Sequence, residues 1–319
     1  MPEIKALYHS TIEPELTQLE TQRKQLQNAT LLLTASIIGA VVLLVFLIGS
    51  QVWPLLIPLI ALVIYIISKN NSTNKLRAEY RALFKNSVVE KIIHSINPSW
   101  NYDPDGKIDS PVYLNSDLFR TKYDRYNGDD LIKGVIDKTD FECSELHTEY
   151  KQVTYDSKGR RREQWITIFR GLFFHADFNK EFSGCTYVSP DVAERLLGKF
   201  GQKLQNFSGN APLVKLENIE FEQEFVVHAT DQIEARYILT PTIMEAMLRI
   251  KRRYGFDLHF SFVSSRVYCA ISINKKLFEP KLFGPVVDLQ EVENMYELLK
   301  LNEVIINELN LNRRIWTKE

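Results

Sequence analysis

The sequence is poor in cysteine and pairs none of it by spacing. Its three thiols, Cys143, Cys185 and Cys269, are odd in number, far apart and form no C-x-x-C. That excludes a disulfide framework and gives no zinc spacing, and a reducing compartment fits. Each thiol is expected to be a small core residue. Net charge is almost absent as well: 39 Lys and Arg against 40 Asp and Glu leave −1. No overall field gathers nucleic acid, so none is expected as a partner. There is no internal repeat, P-loop, G-x-S-x-G, H-E-x-x-H or dinucleotide fingerprint, and the chemistries those motifs carry are not indicated. No catalytic residue, metal ligand or cofactor is assigned.

The most informative absence is local. From residue 31 to residue 67 there is not one Asp, Glu, Lys or Arg. Residues 31–49 form an uncharged run of 19, about 28 Å as a helix and close to the thickness of a bilayer core. Residues 52–68 form a second, shorter run. One helix over both is too long for a single crossing, and Gly49-Ser50-Gln51 with Trp53-Pro54 supplies a turn between them. The loop has no charge, whereas Arg23 and Lys24 precede the first run and Lys69, Lys75, Arg77, Arg81 and Lys85 follow the second. The positive-inside rule then places both termini and most of the chain in the cytoplasm. Ala35 and Gly39 give the first span a small-xxx-small face for packing the hairpin.

Apolar stripes flank the hairpin. Ile12, Leu16, Leu19 and Leu26 form a seam that Arg23 interrupts, and Leu76, Tyr80, Leu83 and Phe84, extended by Ile92, Ile93 and Ile96, form another. They are expected to pair as an antiparallel stalk, or to dock on the domain or on a second chain. The expected class is α+β: a two-helix transmembrane hairpin with stalk helices, then a mostly antiparallel β-sheet domain with packed helices. The divisions are residues 1–30, 31–68, 69–97, 98–288 and 289–319.

Within the domain, residues 98–130 read as an irregular lead-in. Residues 139–155 and 163–178 read as strands around the turn 156–160, with Gly171 marking a bulge or a close backbone approach. Residues 191–205 read as a helix. Phe221, Phe225 and Val227 are expected on one side of a strand, followed by a connector. Thr240 and Pro241 then start a helix that Gly255 ends. Phe256, Leu258, Phe260 and Phe262 predict a strand with one buried face, residues 267–273 its return, and residues 287–309 a final amphipathic helix.

The segments FEQEFVVHATDQIEARYILTP (residues 221–241) and GLFFHADFNKEFSGCTYV (residues 171–188) resemble the bacterial family catalogued as domain of unknown function 3137. The resemblance implies a membrane hairpin followed by a cytoplasmic domain, and brings no reaction. It also implies a LemA-like membrane protein as partner.

His147 and Glu149 share a strand face and read as a solvent-facing pair. His175 and Asp177 share another and are the best ligand-binding candidates. Asp231, Glu234 and Arg236 are the other candidate ligand set, or else a charge network fixing the connector. Lys158, Arg160, Arg161 and Arg162 sit at a hairpin tip that touches anionic lipid or an acidic partner, or is a solvated turn. The expected function is a membrane-anchored interaction or scaffold module of a bacterial inner membrane. Its partners are the lipid bilayer and a protein partner or homo-oligomer through the stalk helices. The alternative is a membrane-associated enzyme, or a lipid- or small-ligand-binding protein, with its site in the domain.

Overall fold

The uncharged runs become the middle of two long helices. The computed structural model describes residues 2–50, 52–178, 180–191, 211–286 and 288–309. They divide into one unit comprising Met1–Ile96 and Phe278–Tyr296, and a second comprising Asn97–Leu277 and Glu297–Glu319.

In the first unit the helix Glu13–Ser50 runs unbroken through stalk and apolar run. A single 3₁₀ turn, Trp53–Leu55, with Pro54 inside it, reverses the chain into the helix Leu56–Phe84. Proline suits this position because its missing N–H would be unsatisfied in a first turn anyway. Both helices are long and apolar enough to cross a membrane. Their apolar side chains face outward, with Ile48 70% and Ile57 74% exposed. Toward the stalk the pattern inverts. Ile12, Leu19, Leu26, Tyr80, Phe84, Ile92 and Ile93 are buried, and Lys91 pairs with Glu15 across the two arms. Two π-helical turns, Tyr8–Ile12 and Lys85–Val89, interrupt the stalk helices.

Arg23, which breaks the apolar seam, is buried because it has work on that face. Its guanidinium makes two bonds to Glu20, at 2.8 and 2.7 Å, one to Gln27, and one to the carbonyl of Leu282 at 2.8 Å. Tyr80 donates to the carbonyl of Lys281 at 3.1 Å, and Arg81 pairs with Glu279 at 2.7 Å. The returning segment 279–282 is thus tied down by three side chains of the two stalk helices.

The second unit is built on one eight-stranded antiparallel sheet. Its strands are β1 (Asn101–Asp103), β2 (Arg125–Ile136), β3 (Thr139–Tyr155), β4 (Arg161–Asp177), β5 (Thr186–Pro190), β6 (Phe225–Ala229), β7 (Asp257–Val263) and β8 (Arg266–Ser272). Their order is β1-β2-β3-β4-β8-β7-β5-β6. Leu131, Leu146, Phe169, Phe173, Tyr268 and Ala270 pack on the lead-in residues Ile108, Tyr113 and Leu118. From the final helix Leu289–Glu308, Asn302 reaches the thiol of Cys143 on β3. Burial pushes that thiol up to about 12.

Gly171 sits where β8 first joins one edge of β4, which stays paired with β3 along the other. Its φ is +149°, and a Cβ there would lie 1.9 Å from the carbonyl oxygen of Ile271. The close approach expected at this glycine is present. Thr240 accepts from the N–H of Ile243 at the start of the helix Pro241–Tyr254, and Gly255 closes it in the left-handed conformation, as the sequence predicts.

Several local expectations are corrected. Residues 98–130 are not wholly irregular: they hold β1, a short helix Ser110–Asn115 and the start of β2. Phe221 lies on a short helix, Ile219–Glu224, not on a strand, because the Asn218 side chain accepts from Phe221 N–H and caps it. The expected connector is likewise a helix, Gln232–Ile238, capped by Asp231. β7 is covered on both faces, since Ser261 is as buried as Phe260 and donates to the carbonyl of Ser116 at 2.6 Å. The helix expected over 191–205 lies outside the described residues.

Candidate functional site

Strand alternation and pairing bring His175 to a polar cluster at one end of β3, β4 and β8. His175 is 6% exposed. It pairs with Glu142 on β3 and with Tyr268 on β8 by register. Its Nδ1 accepts from the Arg266 guanidinium at 3.0 Å, which leaves the ring proton on Nε2, 3.4 Å from Glu142. Lys133 donates to the same carboxylate at 2.7 Å, and Arg266 also reaches Asp140 at 3.0 Å. The His175 bond, together with Lys133 and against the cost of burial, holds the Glu142 carboxyl down at about 2. Both ring nitrogens of His175 are therefore engaged by the protein itself. Asp177 stands one step along the same face, opposite Arg266. Glu142, Lys133, Asp140 and Arg266 come from three other strands, so no sequence neighbourhood announces them. The available signal is their parity with His175 once the strands are paired.

Asp231, Glu234 and Arg236 do not converge on one another. The Asp231 carboxylate accepts from the N–H groups of Ile233 and Glu234, as an N-cap does. Glu234 reaches across to the N–H groups of Ser183 and Gly184, at 3.1 and 2.6 Å. Arg236 donates to the carbonyls of Gln232 and Lys215, each at 3.1 Å, instead of to a carboxylate. Nearby, Thr230 accepts from Cys185 N–H at 2.8 Å, and Lys180 donates to the carbonyl of Tyr237 at 2.7 Å while lying over its ring. Burial lowers the Lys180 pKa. These bonds join the segment 180–188 to the segment 228–237, and β5 pairs with β6 in register between them.

A third constellation has no counterpart in the sequence reading. Asp129, Asp130 and Glu145 bring carboxylate oxygens within 4.8 Å of one another. Among the described residues it is the group best suited to a hard cation, which prefers clustered oxygen ligands. Glu145 is partly committed already, accepting from Leu277 N–H at 2.9 Å. Its pKa is raised by burial first and by Asp129 in addition. Tyr102 donates to Asp130. The other surface candidates lie at the β3–β4 turn, where the Asp156 carboxylate accepts from the N–H groups of Lys158 and Arg160, each at 2.9 Å. His147 and Glu149 are 3.7 Å apart on β3.

Residues 167–311 match the family described as "Protein of unknown function (DUF3137)". The chain carries a DUF3137 domain. No curated protein sequence matches it. Among solved structures it is similar to the crystal structure of the mycobacterial trehalose monomycolate transport factor A, TtfA. The TM-score is 0.32 with 8% identity, over 68% of this chain and 94% of that one. His175, Asp177, Asp231, Glu234 and Arg236 fall within the DUF3137 match. Lys158, Arg160, Arg161 and Arg162 and the acidic trio precede it. The two segments that carry the family resemblance are thus the two that the β5–β6 pairing and the Glu234 bonds join.

Proposed function

We propose that the chain is a two-pass protein of a bacterial inner membrane, with both termini and the DUF3137 domain in the cytoplasm. Its domain works as an interaction module and not as an enzyme. The observation that carries the anchor is the inverted burial of the first unit. The apolar stretches of the two long helices are only 6% and 0% buried, while Ile12, Leu19, Leu26, Tyr80, Phe84, Ile92 and Ile93 of the stalk stripes are buried. Leaving the 19 exposed large apolar residues between Leu31 and Ile67 in water is costly, and a bilayer removes that cost. The uncharged loop and the cations after the second span supply the orientation.

The interaction reading is supported by where the candidate polar groups spend their bonds. His175 is held on both nitrogens, Asp231 caps a helix, Glu234 binds two backbone N–H groups, and Arg236 binds two carbonyls. A general base or ligand needs an uncommitted atom facing substrate. Most side chains of the stalk stripes are buried, which favours the domain as a partner's docking surface. A second membrane protein, of the LemA-like kind that the family resemblance implies, is the partner this reading expects.

Two measurements test it. With a membrane-impermeant maleimide on intact cells, Ser50→Cys is labelled and Ser157→Cys is protected. The reverse pattern overturns the orientation. Cross-linking in intact cells should capture a membrane partner on the domain, whereas steady turnover of a substrate by the purified chain, lost on His175→Ala, would replace the interaction reading.

A further inference from the structure

β3 and β4 are each 17 residues long, and the sheet does not follow them to their ends. β2 accompanies β3 only as far as Glu149, and β8 joins β4 only from Gly171. From Tyr150 opposite Ile166 to Tyr155 opposite Arg161, the two strands pair with each other alone. The result is a two-stranded ribbon about 20 Å long, capped by the turn 156–160. A bare ribbon of this kind is marginal in water. Here it is braced at its root by the Arg125 guanidinium, 3.4 Å over the ring of Trp165. Along its length Glu163 pairs with both Lys151 and Arg161.

Its composition is one-sided. Lys151, Lys158, Arg160, Arg161 and Arg162 stand against Asp156 and Glu163, a surplus of three positive charges in a chain whose total is −1. Register puts Trp165, Lys151, Val153, Glu163, Tyr155 and Arg161 on one face. Tyr155 is 69% exposed there, and Val153 is exposed too. Aromatic and branched apolar groups interleaved with cations match the headgroup level of an anionic bilayer. Rings settle in the interface and cations lie against phosphates. An acidic protein would answer the charges, but gives no reason for the exposed Tyr155 on a chain with an apolar hairpin.

We infer that this ribbon is a second membrane contact, whose Tyr155 and basic turn engage anionic phospholipid headgroups. The inference rests on the anchor reading, and resistance of the reconstituted chain to alkaline extraction reports on that reading separately. The full chain, with Cys185→Ser and a fluorophore on Ser157→Cys, is reconstituted into vesicles of phosphatidylcholine with or without phosphatidylglycerol. Headgroup-labelled quencher lipids read contact. Quenching is expected with phosphatidylglycerol and not without it, and it should fall as salt rises. Reversing Lys158, Arg160, Arg161 and Arg162 to Glu should lower the tip's partition to the surface by about a hundredfold or more. Asp156→Asn keeps the turn's acceptor oxygen, adds a net positive charge and should strengthen quenching. Quenching that is absent from both vesicles, equal in both, or indifferent to Asp156→Asn and to the charge reversal overturns the inference. An acidic protein as the sole occupant would give the first of these results.

Discussion

Replacing Gly171 by alanine tests the sheet architecture most directly. The residue lies at φ +149°, a region that L-residues rarely adopt, and the new Cβ would stand 1.9 Å from the Ile271 carbonyl oxygen and 2.8 Å from the Ile273 nitrogen. Both obstacles are backbone atoms of the neighbouring strand segment, so no rotamer change relieves them. Holding a non-glycine residue in such a conformation costs about 1–3 kcal/mol, and forcing overlap in a packed region adds about 1–3 kcal/mol. Together these predict a loss of about 2–6 kcal/mol, a large part of the stability of an ordinary domain. For a unit of this size that lowers the midpoint of thermal unfolding by about 4–24 °C. Gly159→Ala is the control. It too has positive φ, +74°, but nothing lies within 4 Å of its Cβ, so only the backbone term of about 1 kcal/mol applies. Thermal unfolding of the purified full chain, followed by tryptophan fluorescence, reads both. Equal midpoints for the two variants would refute the close approach between β4 and β8.

Acid should weaken the domain in two steps. Burial, with Lys251 adding to it, lowers His259 to about 4, so the unfolded chain takes its proton first and stability falls by up to about 3 kcal/mol as pH drops from about 6.5 to 4. The Glu142 carboxyl, depressed to about 2 by His175 and Lys133, contributes stability that is present above about 4.5 and lost toward 2. Melting curves across this range should show His259→Gln flattening the upper step and Glu142→Gln the lower. In the first unit, Arg23→Ala removes the donor to the Leu282 carbonyl and leaves Glu20 with Lys24 alone. Limited proteolysis should then cut near the exposed Phe283 several-fold faster, and an unchanged cleavage pattern would mean that Tyr80 and Arg81 hold the segment alone.

Features written in local chemistry were legible in the sequence. The hairpin follows from the missing charges and Pro54, the long β3–β4 pair from its turn residues, and the helix Pro241–Tyr254 from Thr240 and Gly255 at its ends. Legibility failed where short helices interrupt a β-rich stretch. Ile219–Glu224 and Gln232–Ile238 have only six and seven residues, too few for a helical period to stand out from strand alternation, and their capping residues Asn218 and Asp231 carry the signal instead. The His175 surroundings were hidden for another reason. Arg266 is 91 residues away in the chain, and only strand pairing makes it a neighbour. Nor does periodicity announce that Phe278–Tyr296 folds with the N-terminal unit, because its partners Arg23, Tyr80 and Arg81 lie about 200 or more residues earlier in the chain.

That return of the chain sets an order of events during synthesis. The two apolar helices and both stalk arms leave the ribosome before any of the sheet, yet their unit is completed only by Phe278–Tyr296. At about 5–20 residues per second, the intervening stretch takes about 10–40 s to make. Throughout that interval Arg23 and Tyr80 wait for the carbonyls of Leu282 and Lys281, and Arg81 for the carboxylate of Glu279. A nascent chain halted before residue 278 would therefore carry both long helices with Arg23, Tyr80 and Arg81 still unlatched.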